Sequence, residues 1–466
     1  MKLKKLLLIS LPMIALNVGA ASVDEARQLA EDGRTDEAIA MLRELEASSP
    51  RDAEVSLQLG NLLQSTGHDA EARQAYTSAQ KKGSREAVLA LAELANLEYR
   101  IDDARTLLAN YRSLLKKGKK TLYPDQSGDL DQRIDRTETM LERVEQIEVI
   151  DSLVVDADEF FKSYHLSPES GSFHAPADVL PEGFTAAEPT VVYEPESGRQ
   201  MIWAAPDADG TFKLYSSSAL YGDTWEQPTA LGDDLGDGGD ANYPYLMPDG
   251  VTLYFANDGD NSLGGLDIFI SRRGDDGFLQ PQNVGMPYNS PYDDYLLAID
   301  ELTGAGWWAT DRNRIPGKVT IYVFIPNELR HNVDVDSPEL IARARLTSIR
   351  TTWNADTDRN ALINRIVAAR DNSTTREKQF EIAIPGRGVY TNYDDFRTSQ
   401  ARSAMKKLVL EMQQIEQQQQ QLDKLRAAYA AGNHSNETAI VAAEQELETA
   451  KAQLVTLRND VITLER

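Results

Sequence analysis

The sequence predicts a multidomain chain of α and β parts: an N-terminal helical-repeat solenoid, a central β-propeller and a C-terminal helical hairpin or coiled coil. Three observations carry this. Small residues recur at intervals of 34 and 32 through the first part of the chain. Paired aromatic bursts recur at intervals of 52 to 54 between residues 200 and 325. From Thr398 onward the pattern is helical and polar. Each part is stabilised by a periodicity that buries one face, and the change of period marks the change of domain.

The first 20 residues, MKLKKLLLISLPMIALNVGA, place Lys2, Lys4 and Lys5 ahead of a short apolar run, with Val18 and Ala20 spaced as signal peptidase requires. Residues 1–20 are expected to be a signal peptide. The mature chain is then exported, periplasmic or associated with the outer membrane. No later segment is apolar enough to cross a bilayer. The chain has no cysteine, so a lipoprotein start, disulfides and thiolate zinc sites are excluded. A formal net charge of −26 repels phosphate backbones and excludes nucleic acid as a partner.

Residues 21–148 read as helical repeats with a capping helix. Ala38, Ala72 and Ala104 are small where two helices must approach, and Leu42, Tyr76 and Leu108, four residues later, fill the space beside them. Gly33 and Gly67 mark turns. In the middle unit Leu59, Gly60, Gly67, Ala72, Tyr76 and Ala79 resemble the tetratricopeptide repeat, a resemblance covering about three units. Residues 127–148 continue as one helix, with Leu130, Ile134, Leu141, Val144 and Ile147 as its apolar stripe.

Residues 149–395 are assigned to the propeller, with clear blades over 184–333 and a helical insertion at 337–371. Trp203, Phe255 and Trp308 recur in one strand of each unit, and Tyr215, Phe269 and Tyr322 in the next. The turn signals ESG, PDG and LTG separate the strands that precede them. The run PDGVTLYFANDGDNSLGGLDIFISRR, followed by NVGMPYNSPYDDY, resembles the TolB-type, WD40-like propeller repeat of envelope proteins of Bacteroidota. That resemblance implies a protein-binding platform in the cell envelope. Residues 147–175 and 380–393 are expected to supply further strands, giving a closed or nearly closed ring of four or five blades.

Residues 396–466 form the C-terminal part. Met405, Leu408, Met412, Ile415 and Leu422 follow helical spacing, and Ile440, Ala443, Leu447, Ala450, Leu454, Leu457, Val461 and Leu464 follow heptads. This is an antiparallel hairpin or a seam through which the chain forms an oligomer.

Sites are sparser than architecture. No HExxH, nucleophile elbow, phosphate loop or dinucleotide fingerprint occurs, so no enzyme and no cofactor are expected. From residue 222 to 300, fifteen acidic residues face only Arg272 and Arg273, which makes Asp258, Asp260 and Asp267 candidate calcium ligands. The competing reading is that these side chains serve their own turns, with Asp267 capping the loop and Gly265 at positive φ. Trp203, Tyr243, Tyr245, Trp307 and Trp308 are candidates for a ligand-binding face or for core. The function expected is an exported, non-enzymatic scaffold binding other envelope proteins. The alternative is a glycan-binding accessory protein using those five aromatics.

Overall fold

Alanine and glycine at the repeat positions let helices pack closely at the start of the chain. The computed structural model describes residues 22–116, 127–220, 224–232, 235–236, 238–275, 277–372, 380–385, 387–391, 393–430 and 436–465. The expected signal peptide and the hairpin loop at 431–435 lie outside them. The chain divides into two units: one joins Met1–Val144 with Asp311–Val319 and Asn332–Arg345, and the second holds Glu145–Thr310, Thr320–His331 and Leu346–Arg466.

In the first unit, helices α1 (Val23–Glu31), α2 (Thr35–Ser48), α3 (Ala53–Ser65), α4 (Asp69–Lys81), α5 (Glu86–Leu97) and α6 (Ile101–Lys116) form three consecutive pairs. The Ser22 hydroxyl caps α1 by accepting the Glu25 N–H, and the Asp52 carboxylate caps α3 through the Glu54 N–H at 2.9 Å. Ala38, Ala72 and Ala104 are each 0% exposed, with Leu42, Tyr76 and Leu108 buried beside them. Gly33 and Gly67 sit at φ +78° and +82°, where a side chain would strain the turn. Tyr76 donates its hydroxyl proton to Asn61 Oδ1 (3.0 Å) or Gln64 Oε1 (2.7 Å), and its ring lies over Gly60 so closely that a Cβ there would fall 2.4 Å from ring carbons. Within the same unit, Arg314 holds Asp69 through two hydrogen bonds of 2.8 and 2.6 Å.

Helix α7 (Ser127–Leu141) buries Leu130 and Ile134 against the side of α5 and α6. It ends at Leu141, seven residues before the expected end. The residues that follow bond to distant backbone instead: the Glu145 N–H donates to Met286 O and Gln146 N–H to His331 O, and Ile147 joins a sheet core.

The second unit opens with β1 (Glu148–Asp156). Next come β2 (Ser172–His174), the short helix α8 (Pro176–Val179), and the strands β3 (Val192–Glu194), β4 (Gln200–Pro206), β5 (Phe212–Ser218) and β6 (Thr229–Ala230). The strands β2 to β6 make the first sheet, in that order. The second is β7 (Ala241–Leu246), β8 (Thr252–Asn257) and β9 (Asp267–Gly274), with β10 (Gly277–Phe278) and β11 (Gln282–Asn283) both on β9. The third is β12 (Asp294–Asp300), β13 (Ala305–Thr310) and β14 (Lys318–Ile325), with β1 added outside β14. The two aromatic series face each other across neighbouring strands, as Trp203 opposite Tyr215, Phe255 opposite Phe269 and Trp308 opposite Tyr322. Gly198, Gly250 and Gly304 take the three turns at positive φ.

Among the described residues the repeat builds three sheets and closes no ring, which corrects the expectation of four or five blades. A hydrogen-bond repeat links the first sheet to the second and the second to the third, and among the described residues is not continued from the third. Tyr193 Oη on the first sheet donates to Leu246 O on the second (2.8 Å), and Tyr245 Oη on the second donates to Ile299 O on the third (2.6 Å). Ala298 occupies the equivalent position of the third sheet, opposite Trp307 as Tyr193 is opposite Ile202 and Tyr245 opposite Tyr254. An alanine has no hydroxyl to reach a fourth sheet. The chain itself covers one face of the first sheet, where α8 and the following residues place Val179, Leu180 and Phe184 on Met201 and Trp203.

The insertion supplies helices α9 (Leu340–Arg345) and α10 (Arg359–Asn372). Strands β15 (Ile382–Ile384) and β16 (Gly388–Tyr390) form a separate two-stranded sheet, so the propeller assignment over 149–395 does not hold at its end. They pack with α11 (Ser399–Ala430) and α12 (Glu437–Glu465), where Ile382, Ile384 and Phe396 share a core with Met405, Leu408 and Val461. The two long helices form one intrachain hairpin along Ile415, Leu422, Leu447 and Ala450. Glu465 closes its open end, accepting the Arg397 N–H (3.0 Å) and the Tyr390 hydroxyl (3.2 Å).

Two substitutions test this packing. Gly60→Ala gains helix propensity but overlaps the Tyr76 ring, so a net loss of about 1–2 kcal/mol is expected in urea unfolding. Tyr245→Phe keeps the ring and removes the donor to Ile299, and should cost about 1 kcal/mol by the same measurement.

Candidate functional site

The helical repeats carry a groove of about 460 Å³ between α2, α3 and α4. Leu59, Leu63 and Ala75 line it, and its charged residues are paired in place. Arg43 meets Glu71 at 2.5 Å, and Lys82 meets Glu46 at 3.1 Å. Behind them, Ser56 and Ser78 also donate to Glu46, and Lys82 to Ser56. Burial pushes the Glu46 carboxyl up, but hydrogen bonds from Ser56, Lys82 and Ser78 outweigh it and hold it below its ordinary value. The result is a trough of mixed lining, apolar at Leu59, Leu63 and Ala75, with balanced charge on its walls and the exposed Gln74 among its lining residues. Such a surface suits a polypeptide segment, which brings side chains for the trough and backbone groups for the rim.

All five candidate aromatics lie in the sheets and are at most 5% exposed. Trp203 stacks on Phe184 with ring centres 5.7 Å apart, and its indole N–H donates to Thr185 O. Trp307 and Trp308 point to opposite faces of β13, and Trp308 packs on Tyr288, Tyr322 and Phe324. Tyr243 stacks on Tyr295 at 4.6 Å, and Tyr245 lies 5.1 Å from Tyr193. The candidate ligand-binding face is therefore core, because strands buried on both sides leave no wet face for either member of an alternating pair. The glycan reading loses its contact residues with it.

The acidic loops serve the fold. Asp258 Oδ1 accepts the Asp240 N–H at 2.6 Å, while Asp267 Oδ2 accepts the Leu263 N–H (2.9 Å) and an Asn283 amide hydrogen (2.6 Å). Asn289 extends this network, bonding both backbone groups of Ile268 and the Asn283 side chain. Asp258, Asp260 and Asp267 do not converge, and among the described residues no group of three or more acidic or histidine side chains is placed to hold a metal. Asp233, Asp234 and Asp237 lie outside the described residues. Gly265 does not have the expected positive φ; it is glycine because a Cβ would fall 2.0 Å from Asp293 Oδ1.

A serine, a histidine and a glutamate also meet at the edge of the first sheet. Ser172 Oγ and Glu194 Oε2 lie 2.8 and 3.4 Å from the same ring nitrogen, His174 Nε2. A nucleophile–base–acid relay needs the acid on the opposite nitrogen, so this cluster is a cross-strand contact between β2 and β3.

A family model for the tetratricopeptide repeat matches residues 29–83, the stretch from within α1 to just beyond α4 that contains the groove. No curated protein and no solved structure matches the chain. Among the described residues, no helix is long and apolar enough to cross a membrane.

Asp267 gives a pH test. Burial pushes its carboxyl from 3.8 up to about 8, against the hydrogen bonds that favour the ion. The folded protein thus holds a proton that the unfolded chain releases, so this group's contribution is complete below 3.8 and is lost as pH rises to about 8. Asp267→Asn should flatten the fall of unfolding free energy over that interval, measured by urea titration at a series of pH values.

Proposed function

We propose that this chain is an exported, non-enzymatic scaffold of the cell envelope, and that its helical repeats bind an envelope protein through the groove between α2, α3 and α4. The observation that carries this reading is the coincidence of that groove with the tetratricopeptide match, since repeats of this kind present stacked helices as a binding surface. The charge pairs on its walls are already satisfied, so a segment can enter without stripping an unpaired ion of water. The export half of the reading rests on the lysine-led apolar run at the N-terminus.

Gln74→Trp places a ring across the groove from an exposed position and leaves the helix core alone. In-cell crosslinking and recovery of the mature protein should yield defined envelope proteins from the wild type, with loss of at least one from the variant. Equal recovery from both would show that the groove is not the contact. No protein above control from either would overturn the scaffold reading.

A further inference from the structure

The strand edges of the second unit are unequal. In the three main sheets β2, β6 and β10 end on two or three residues, and β7 and β12 are almost wholly buried. Strand β1 is different: it has nine residues, contains no proline, glycine or lysine, and among the described residues has only β14 as its strand partner. Proteins usually protect an edge of this length with one of those devices, because its outward N–H and C=O groups are a template for another strand.

Part of the edge is closed by the chain itself. The Val149 N–H donates to Thr352 Oγ1 at 2.9 Å, and Trp353 donates its indole N–H to Val149 O at 2.8 Å. Glu148 is fastened beside it by Asn354, Thr357 and Arg359. Among the described residues the closure stops there. Since strand residues alternate in direction, Asp151, Leu153 and Val155 present their backbone groups to the same side as Val149. The side chains over this stretch are half-buried or exposed, with Val154 54% exposed.

We propose that the open part of β1, from Asp151 to Val155, binds an extended segment of another protein by strand addition. That segment is apolar at alternate positions and carries lysine or arginine at both ends. Backbone pairing supplies the affinity in such a complex, and alternate side chains and end charges supply the choice of partner. Apolar residues of the segment lie beside Leu153 and Val155, and its cationic ends lie near Asp151 and Asp158. A second copy of the chain is the poorer occupant, because it brings a second net charge of −26 and a second pair of acidic flanks. This surface is separate from the helical groove and stands or falls independently of it.

The test uses the full chain and a fluorescein-labelled peptide with valine at alternate positions and lysine at each end, beside a twin with glutamate at each end. Fluorescence anisotropy should show saturable binding of the lysine peptide and binding at least about tenfold weaker for the twin. Leu153→Pro removes one outward N–H without touching the side facing β14, and should abolish binding. The double variant Asp151→Lys with Asp158→Lys reverses charge near the surface, at the loss of the hydrogen bond that the Asp151 carboxylate accepts from the Ser152 N–H, and should reverse the preference between the two peptides, which keeps the test decisive if the proline variant unfolds. Absence of saturable binding, or binding unchanged in the charge variant, would overturn the proposal. A wild-type dimer in sedimentation that Leu153→Pro dissolves would overturn the choice of occupant.

Discussion

The sheet unit depends on one segment, Phe160–His174, which touches the inner strands of all three sheets. Phe160 packs on Tyr243 and Tyr295, at 6.0 and 5.3 Å between ring centres. Tyr164 donates to Leu296 O, and Ser167 gives both its N–H and its hydroxyl to the buried Asp300. Ser170 O lies 3.1 Å from the Tyr193 hydroxyl as the alternative acceptor to Leu246 O, and Phe173 lies against Tyr193 and Tyr245. Three sheets that do not close a ring would leave inner backbone and tyrosine hydroxyls without partners. The segment supplies those partners and the apolar contact together.

The position of β1 follows from the same constraint. The chain leaves β1 in the third sheet, runs along the inner strands and enters the first sheet at β2. One covalent path thus ties the last sheet to the first, and does the work that a further blade would do in a ring. Its cost is the open outer edge of β1, which the residues around Trp353 close at one end only.

The helical repeats and the C-terminal hairpin are built more locally. Each repeat buries its alanines and one large side chain against its neighbour, and the groove lies between α2, α3 and α4, with the buried Leu59 and Leu63 among its lining. The hairpin spends its heptad residues on its own seam and shares its end with β15 and β16.

The sequence by itself determined what depends on near neighbours. Ala38, Ala72 and Ala104 announced the helical repeats, and the aromatic series through Trp203 and Tyr215 announced the sheets, because packing at a fixed period must repeat in the chain. The tertiary structure alone decided the number of sheets, the destination of β1 and of residues 380–390, and the burial of the five aromatics. Those depend on contacts between residues far apart, such as Tyr164 with Leu296 or Val149 with Thr352, which no local period encodes. Ala298 is the instructive case: alone it is an ordinary strand alanine, and only the hydrogen bonds of Tyr193 and Tyr245 reveal it as the place where the series ends. The groove had a partial signal, in Leu59, Leu63 and Ala75 at helical spacing, but its paired walls join residues as distant as Glu46 and Lys82 and became visible only in three dimensions.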